Sequence, residues 1–120
     1  MFATLEIGNG ELMKKLELFE ENQQEIASLA KVLSHPARIA ILQFLASTPT
    51  CISGDISDYL PLSRTTVSQH LKELKSMGLI QGDVEGLKIK YCLNKEGIEK
   101  LKSVFGVLFE EITPLENKIC

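Results

Sequence analysis

Arg64, Thr65, Ser68, Gln69 and Lys72 place a guanidinium, two hydroxyls, an amide and an ammonium within one short stretch. These groups bond well to nucleic acid. Gln can pair bidentately with adenine, Ser and Thr can donate or accept at base edges or phosphates, and Lys neutralises phosphate. Arg64, at the start of the stretch, could reach a guanine edge or the backbone. At a helical advance of about 100° per residue, Val67, Leu71 and Leu74 fall within one narrow arc. Thr65 and Gln69 lie opposite, flanked by Ser68 and Lys72, with Thr66 and Glu73 on the other flank. An apolar arc turned inward would hold the polar arc outward. The same pattern also describes an ordinary solvated helix face, so the neighbouring elements must decide between the two.

Those neighbours favour a DNA-reading helix. Leu60-Pro61-Leu62 reads as a turn, Ser63 as the N-cap of a helix to Met77, and Gly78 as its left-handed C-cap. Leu79–Asp83 and Leu87–Leu93 read as two strands around a turn at Glu85-Gly86, with lysines on one face and Leu87, Ile89, Tyr91 and Leu93 on the other. Upstream, Pro36 starts a short apolar helix, Ala37–Ala46, with Ile39, Ile41, Leu42 and Leu45 inward. Ser53 can cap a further short helix to about Tyr59, with Asp55 in its first turn. A longer helix from Glu11 carries Leu12, Leu16, Phe19, Ile26, Ala30 and Leu33 at alternating spacings of four and three, with Gln23 filling the one gap. Asn94 caps a last helix with Ile98, Leu101, Phe105, Leu108 and Ile112 in a similar seam, which Val104 and Phe109 widen and Pro114 ends. The expected class is mainly α with a two-stranded β-hairpin wing, a winged helix-turn-helix in the order ααααββα. The expected organisation is a mobile terminus over 1–10, one DNA-binding and dimerisation domain over 11–113, and a tail over 114–120.

The expected DNA contacts are Ser63, Arg64, Thr65, Thr66, Ser68, Gln69, His70, Lys72 and Lys75 on the helix, with Lys88 and Lys90 on the wing. His70 lies beside the apolar arc, so it is either a partly buried structural histidine or a single phosphate contact. The two seams are either core faces or dimer faces. As a dimer interface they would use Leu12, Leu16, Phe19, Ile26, Leu101, Phe105, Leu108 and Ile112.

Composition agrees with one domain. The chain has 120 residues, 44% of them hydrophobic, which fits a modest core and excludes wholesale disorder. No apolar run could span a bilayer and the first residues lack a signal-peptide pattern, so a cytoplasmic protein is expected. The net charge of −3 is unevenly spread: residues 1–30 hold six Glu against two Lys, whereas residues 61–90 hold five Lys and Arg against three acids. The positive balance thus lies where the reading helix and wing are expected. Three cysteines, an odd count without repeated spacing, argue against a disulfide framework and would be free thiols in a reducing compartment.

The segments LSHPARIAIL (33–42) and SRTTVSQHLKELKSMGLI (63–80) together resemble the ArsR/SmtB family of bacterial metalloregulatory repressors. The resemblance covers roughly residues 25–113. It implies a homodimeric winged-helix repressor, paired through its terminal helices, that leaves its operator when an inducer binds. The sensor positions depart from the family. Its arsenic-type site uses paired cysteines at the start of the third helix, and Cys51-Ile-Ser-Gly-Asp55 keeps only the first. Its zinc-type site uses Asp and His residues with an acid on the last helix. That helix has no histidine here, and Glu99, Glu110 and Glu111 do not reproduce the spacing.

Cys51 alone cannot close a metal or metalloid site. Cys92, on the expected wing strand, and Cys120 are the thiols that would have to join it, within a chain or across a dimer. The other reading is a buried Cys51 and two incidental thiols. No metal ligands and no cofactor are therefore assigned, and a metalloid or thiol-reactive inducer is left open.

The leading function is a dimeric, sequence-specific DNA-binding regulator of the ArsR type that inserts residues 63–77 into the major groove of double-stranded operator DNA. The alternative is a winged-helix protein-interaction module without DNA binding. An enzyme is not expected, because no nucleophile–base pair, phosphate-binding loop or paired carboxylates stand out.

Overall fold

The computed structural model describes residues 18–53, 56–86 and 88–116. Its elements are α1 (Glu21–Val32), α2 (Pro36–Ser47), β1 (Ile52–Ser53), a 3-10 turn (Ile56–Tyr59), α3 (Arg64–Ser76), β2 (Ile80–Glu85), β3 (Lys88–Leu93) and α4 (Lys95–Ile112). Among the described residues, no helix is long and apolar enough to cross a membrane.

The N-terminal seam is interrupted within the described residues. Leu18–Glu20 precede the helix, and the Glu20 amide donates to Gln23 Oε1 at 3.0 Å. The polar residue that interrupts the apolar spacing is therefore a capping residue at the start of α1. Phe19 lies ahead of the helix rather than on it. Leu12, Leu16, the expected terminus 1–10 and Cys120 lie outside the described residues.

Pro36 opens α2, and the His35 ring caps it, its Nδ1 accepting from the Ala37 amide at 3.0 Å. Ala37, Ile41 and Leu45 are the buried positions of α2. Ile39, expected inward, is exposed, since the arc facing the core is narrower than the apolar run. The short helix expected from Ser53 to about Tyr59 is found over Ile56–Tyr59 as a 3-10 turn, and Asp55 lies outside the described residues. Ile52–Ser53 form a strand. The wing is thus the outer hairpin of a three-stranded antiparallel sheet in the order β1-β3-β2.

α3 ends as its glycine predicts. Gly78 has φ +76°, its amide donates to the Lys75 carbonyl at 3.0 Å, and the Leu79 amide donates to the Leu74 carbonyl at 3.0 Å. This double bond pattern is a Schellman motif, and its hydrophobic partners Leu74 and Leu79 are both fully buried. Glu85 pairs with Lys88, and Gly86, at the start of the turn between them, has φ +67°, while Leu87 lies outside the described residues. Such turns need a positive φ at the first central residue.

The core joins Val32, Ile41, Leu45, Ile56, Val67, Leu71, Leu74, Leu79 and Ile80. Asn94 stands at the N-cap position of α4 without a side-chain cap bond, while its amide donates to the Leu79 carbonyl at 3.0 Å. The first turns of α4 pack Ile98 and Leu101 against the core. Beyond them Val107, Phe109 and Ile112 are exposed, and no residue of α4 is buried.

Candidate nucleic-acid interface

The interface is built on α3, and its orientation is set by the side that is buried. Val67, His70, Leu71 and Leu74 face the core. Arg64, Thr65, Ser68, Gln69, Lys72 and Lys75 are all exposed, so the predicted polar arc is the outer surface of the helix. Ser63 and Thr66 also serve the helix end. Ser63 Oγ accepts from the Thr66 amide at 3.2 Å and donates to Thr66 Oγ1 at 2.8 Å. These two bonds fix the start of the first turn.

His70 is corrected from an expected contact to an interior residue. It is 9% exposed, and its ring lies 4.3 Å from that of His35, centroid to centroid. Its Nδ1 accepts from Arg38 Nε at 3.1 Å, which leaves the proton of the neutral ring on Nε2. Arg38 also donates from a terminal guanidinium nitrogen to the Val32 carbonyl at 3.2 Å, so one side chain ties the end of α1 to the inner face of α3. Burial, then the neighbouring His35 and Arg38, hold His70 below the ordinary histidine range. Sequence reasoning missed Arg38. Its only signal was a cation inside an otherwise apolar helix.

Lys75 is partly committed as well. Its Nζ donates to the Gly82 carbonyl at 3.2 Å, bracing α3 against β2. On the wing, the register sets Lys88 opposite Glu85 and Lys90 opposite Asp83. Residues 80–93 therefore hold two lysines against two acids, whereas residues 63–77 hold Arg64, Lys72 and Lys75 against Glu73. The positive balance belongs to the helix, and the wing is neutral overall. The expected outward lysine face also needs revision at the tip. Lys90 is half-buried, while Val84 and Ile89, paired across the hairpin, are 79% and 41% exposed. The core ends short of them.

Cys51 and Cys92 are joined in a disulfide. This overturns the free-thiol expectation for these two, because an odd count argues against a framework but not against one cross-strand pair. Among the described residues, no three of His, Cys, Asp and Glu converge as metal ligands. The donor set that the family's metal sites need is not assembled by these residues.

Comparison with known proteins agrees with this geometry. Residues 35–81 match the family described as bacterial regulatory protein, arsR family. The chain is 29% identical over 89 residues to the HTH-type transcriptional regulator YgaV of Escherichia coli K12, covering 74% of this chain and 90% of that protein. It is 29% identical over 85 residues to the arsenical resistance operon repressor of Staphylococcus xylosus, covering 71% and 81% respectively. In structure it resembles the homodimeric winged helix-turn-helix DNA-binding domain Mb0332 of Mycobacterium bovis, with a TM-score of 0.54, 25% identity, and coverage of 77% and 84%. With its reading helix, wing and this match, the chain belongs to the arsR family of bacterial regulatory proteins, as a winged helix-turn-helix transcriptional regulator rather than an enzyme.

Proposed function

We propose that the protein is a cytoplasmic homodimeric repressor that reads operator DNA by laying α3 in the major groove. One observation carries this reading. Thr65, Ser68, Gln69 and Lys72 are exposed together on the face of α3 opposite its four buried residues. Gln69 can take a base edge bidentately, Thr65 and Ser68 reach base edges or phosphates, and Arg64 and Lys72 anchor the backbone. Lys75, braced on β2, Lys88 and Lys90 are second-rank phosphate contacts.

Dimerisation is supported by α4. Phe105 and Leu108 are only half-buried, and Ile112 is 62% exposed on the same seam. A second copy would cover these residues together with Leu101, and Phe19 and Ile26 from the α1 side. Two reading helices would then meet successive major grooves about 34–36 Å apart on a near-palindromic site.

Fluorescence anisotropy on the duplex upstream of the protein's own coding sequence tests this reading. Gln69→Ala is expected to weaken specific binding by about 1–3 kcal/mol, and Lys72→Ala to lower the salt slope by about one. Weak binding to every duplex, flat with salt, would leave the interaction-module alternative. For the dimer, Leu108→Glu is expected to give a monomer in sedimentation equilibrium.

A further inference from the structure

We propose that Cys51 and Cys92 form a reversible thiol–disulfide switch, oxidised by a peroxide, that clamps the segment leading into the reading helix to the wing. This rests on the DNA-binding reading above. The two residues are 41 apart in sequence, yet the sheet makes them neighbours. Ile52 pairs with Tyr91 and Ser53 with Lys90, so the same antiparallel register sets Cys51 against Cys92. Their Cα atoms are 4.7 Å apart. That is the close spacing of a non-hydrogen-bonded antiparallel pair and lies within the span of a disulfide. Both residues are half-buried, so a small oxidant can reach them.

The position of the bond gives it a consequence. The loop it closes contains the 3-10 turn, α3 and the β2–β3 hairpin, which is the whole candidate interface. β1 is two residues long, whereas β2 and β3 pair through six residue pairs. The segment leading into α3 is thus held to the sheet by a minimal ladder and one covalent link. When the link is reduced, the two-residue ladder and the core contact of Ile56 hold that segment, and its attachment to the wing loosens. A protein that acts on bacterial DNA works where thiols are kept reduced, and disulfides formed there are chiefly transient or sensing.

The chemistry balances. One thiolate attacks a peroxide oxygen, the O–O bond breaks, and a sulfenic acid forms. The second thiol attacks the sulfenic sulfur, the S–O bond breaks, and water leaves. Two thiols and one hydrogen peroxide become one disulfide and two waters, with the sulfurs oxidised and the peroxide oxygens reduced. A dithiol reverses the step through a mixed disulfide.

The test uses the full chain carrying Cys120→Ser, which leaves two of its three cysteines. Hydrogen peroxide is expected to consume both thiols and lower the monomer mass by two hydrogens. The oxidised chain is expected to bind the upstream duplex about tenfold more tightly than the reduced chain, as for a competent arrangement populated about a tenth of the time without the clamp. Cys51→Ser and Cys92→Ser variants should bind like the reduced chain with or without peroxide. Thiols that survive peroxide, equal affinity in the two states, or tighter binding by the reduced chain would each overturn the switch alone. Failure of both states to bind any duplex would remove the DNA-binding reading and the switch with it.

Discussion

Alanine at two glycines of the same helix should change stability in opposite directions. In a helix interior, Gly→Ala is favourable by up to about 1 kcal/mol, because it lowers the entropy of the unfolded chain. Gly106 on α4 meets no atom within 4 Å of an added Cβ, so Gly106→Ala should realise that gain. At Gly97, in the first turn of α4, an added Cβ would overlap the Gly78 carbonyl oxygen and lie 2.8 Å from its carbon. The obstacle is backbone, and it belongs to the Schellman cap of α3, where Gly78 holds φ +76°. Relief requires α4 to move away, at the expense of the Asn94–Leu79 bond and the packing of Ile98 and Leu101. Overpacking of this kind costs about 1–3 kcal/mol, which exceeds the propensity gain. With an unfolding entropy of about 2.1 cal/mol/K per residue, each kcal/mol moves Tm by about 4 °C for this length. Gly106→Ala should therefore raise Tm by up to about 4 °C, and Gly97→Ala, net of the same propensity gain, should lower it by up to about 8 °C. Thermal denaturation at one fixed protein concentration reads both. A Gly97→Ala protein as stable as Gly106→Ala would refute the claim that α4 rests on the α3 cap.

Three further outcomes follow from the core and the sheet. Leu74→Ala, at a fully buried position under the reading helix, should cost about 2–5 kcal/mol in urea denaturation. Reduction of the Cys51–Cys92 bond frees a loop of about 41 residues and should lower stability by about 4 kcal/mol, read as a lower urea midpoint in dithiothreitol that Cys92→Ser reproduces without it. His70 is held below its unfolded pKa of 6.5, so the unfolded chain takes up the proton first as pH falls. Stability from this group is complete above pH 6.5 and is lost below it, until the folded ring also protonates. His70→Gln, which keeps an acceptor for Arg38, should remove that part of the acid sensitivity in pH-dependent melting.

Much of the local architecture was written in short-range chemistry. Ser63, Gly78, Gly86 and Pro36 mark element ends because each satisfies a backbone demand within a few residues. The outer arc of α3 was legible for a similar reason. Val67, Leu71 and Leu74 share one face of any helix, so burying them leaves Thr65, Ser68, Gln69 and Lys72 outside.

What the sequence could not determine depends on register and on partners far along the chain. Ile52–Ser53 has no strand signal of its own and becomes a strand only because β3 offers an unpaired edge. That pairing brings Cys51 to Cys92. His70 looked ambiguous on the helical wheel, and Arg38, 32 residues earlier, decides its role. The wing lysines read as a positive patch until the hairpin register set each of them opposite an acid. The sequence by itself determined which side of α3 faces outward, because one helix period fixes it. Tertiary structure decided what braces that helix, because sheet pairing selects neighbours by geometry rather than by distance along the chain.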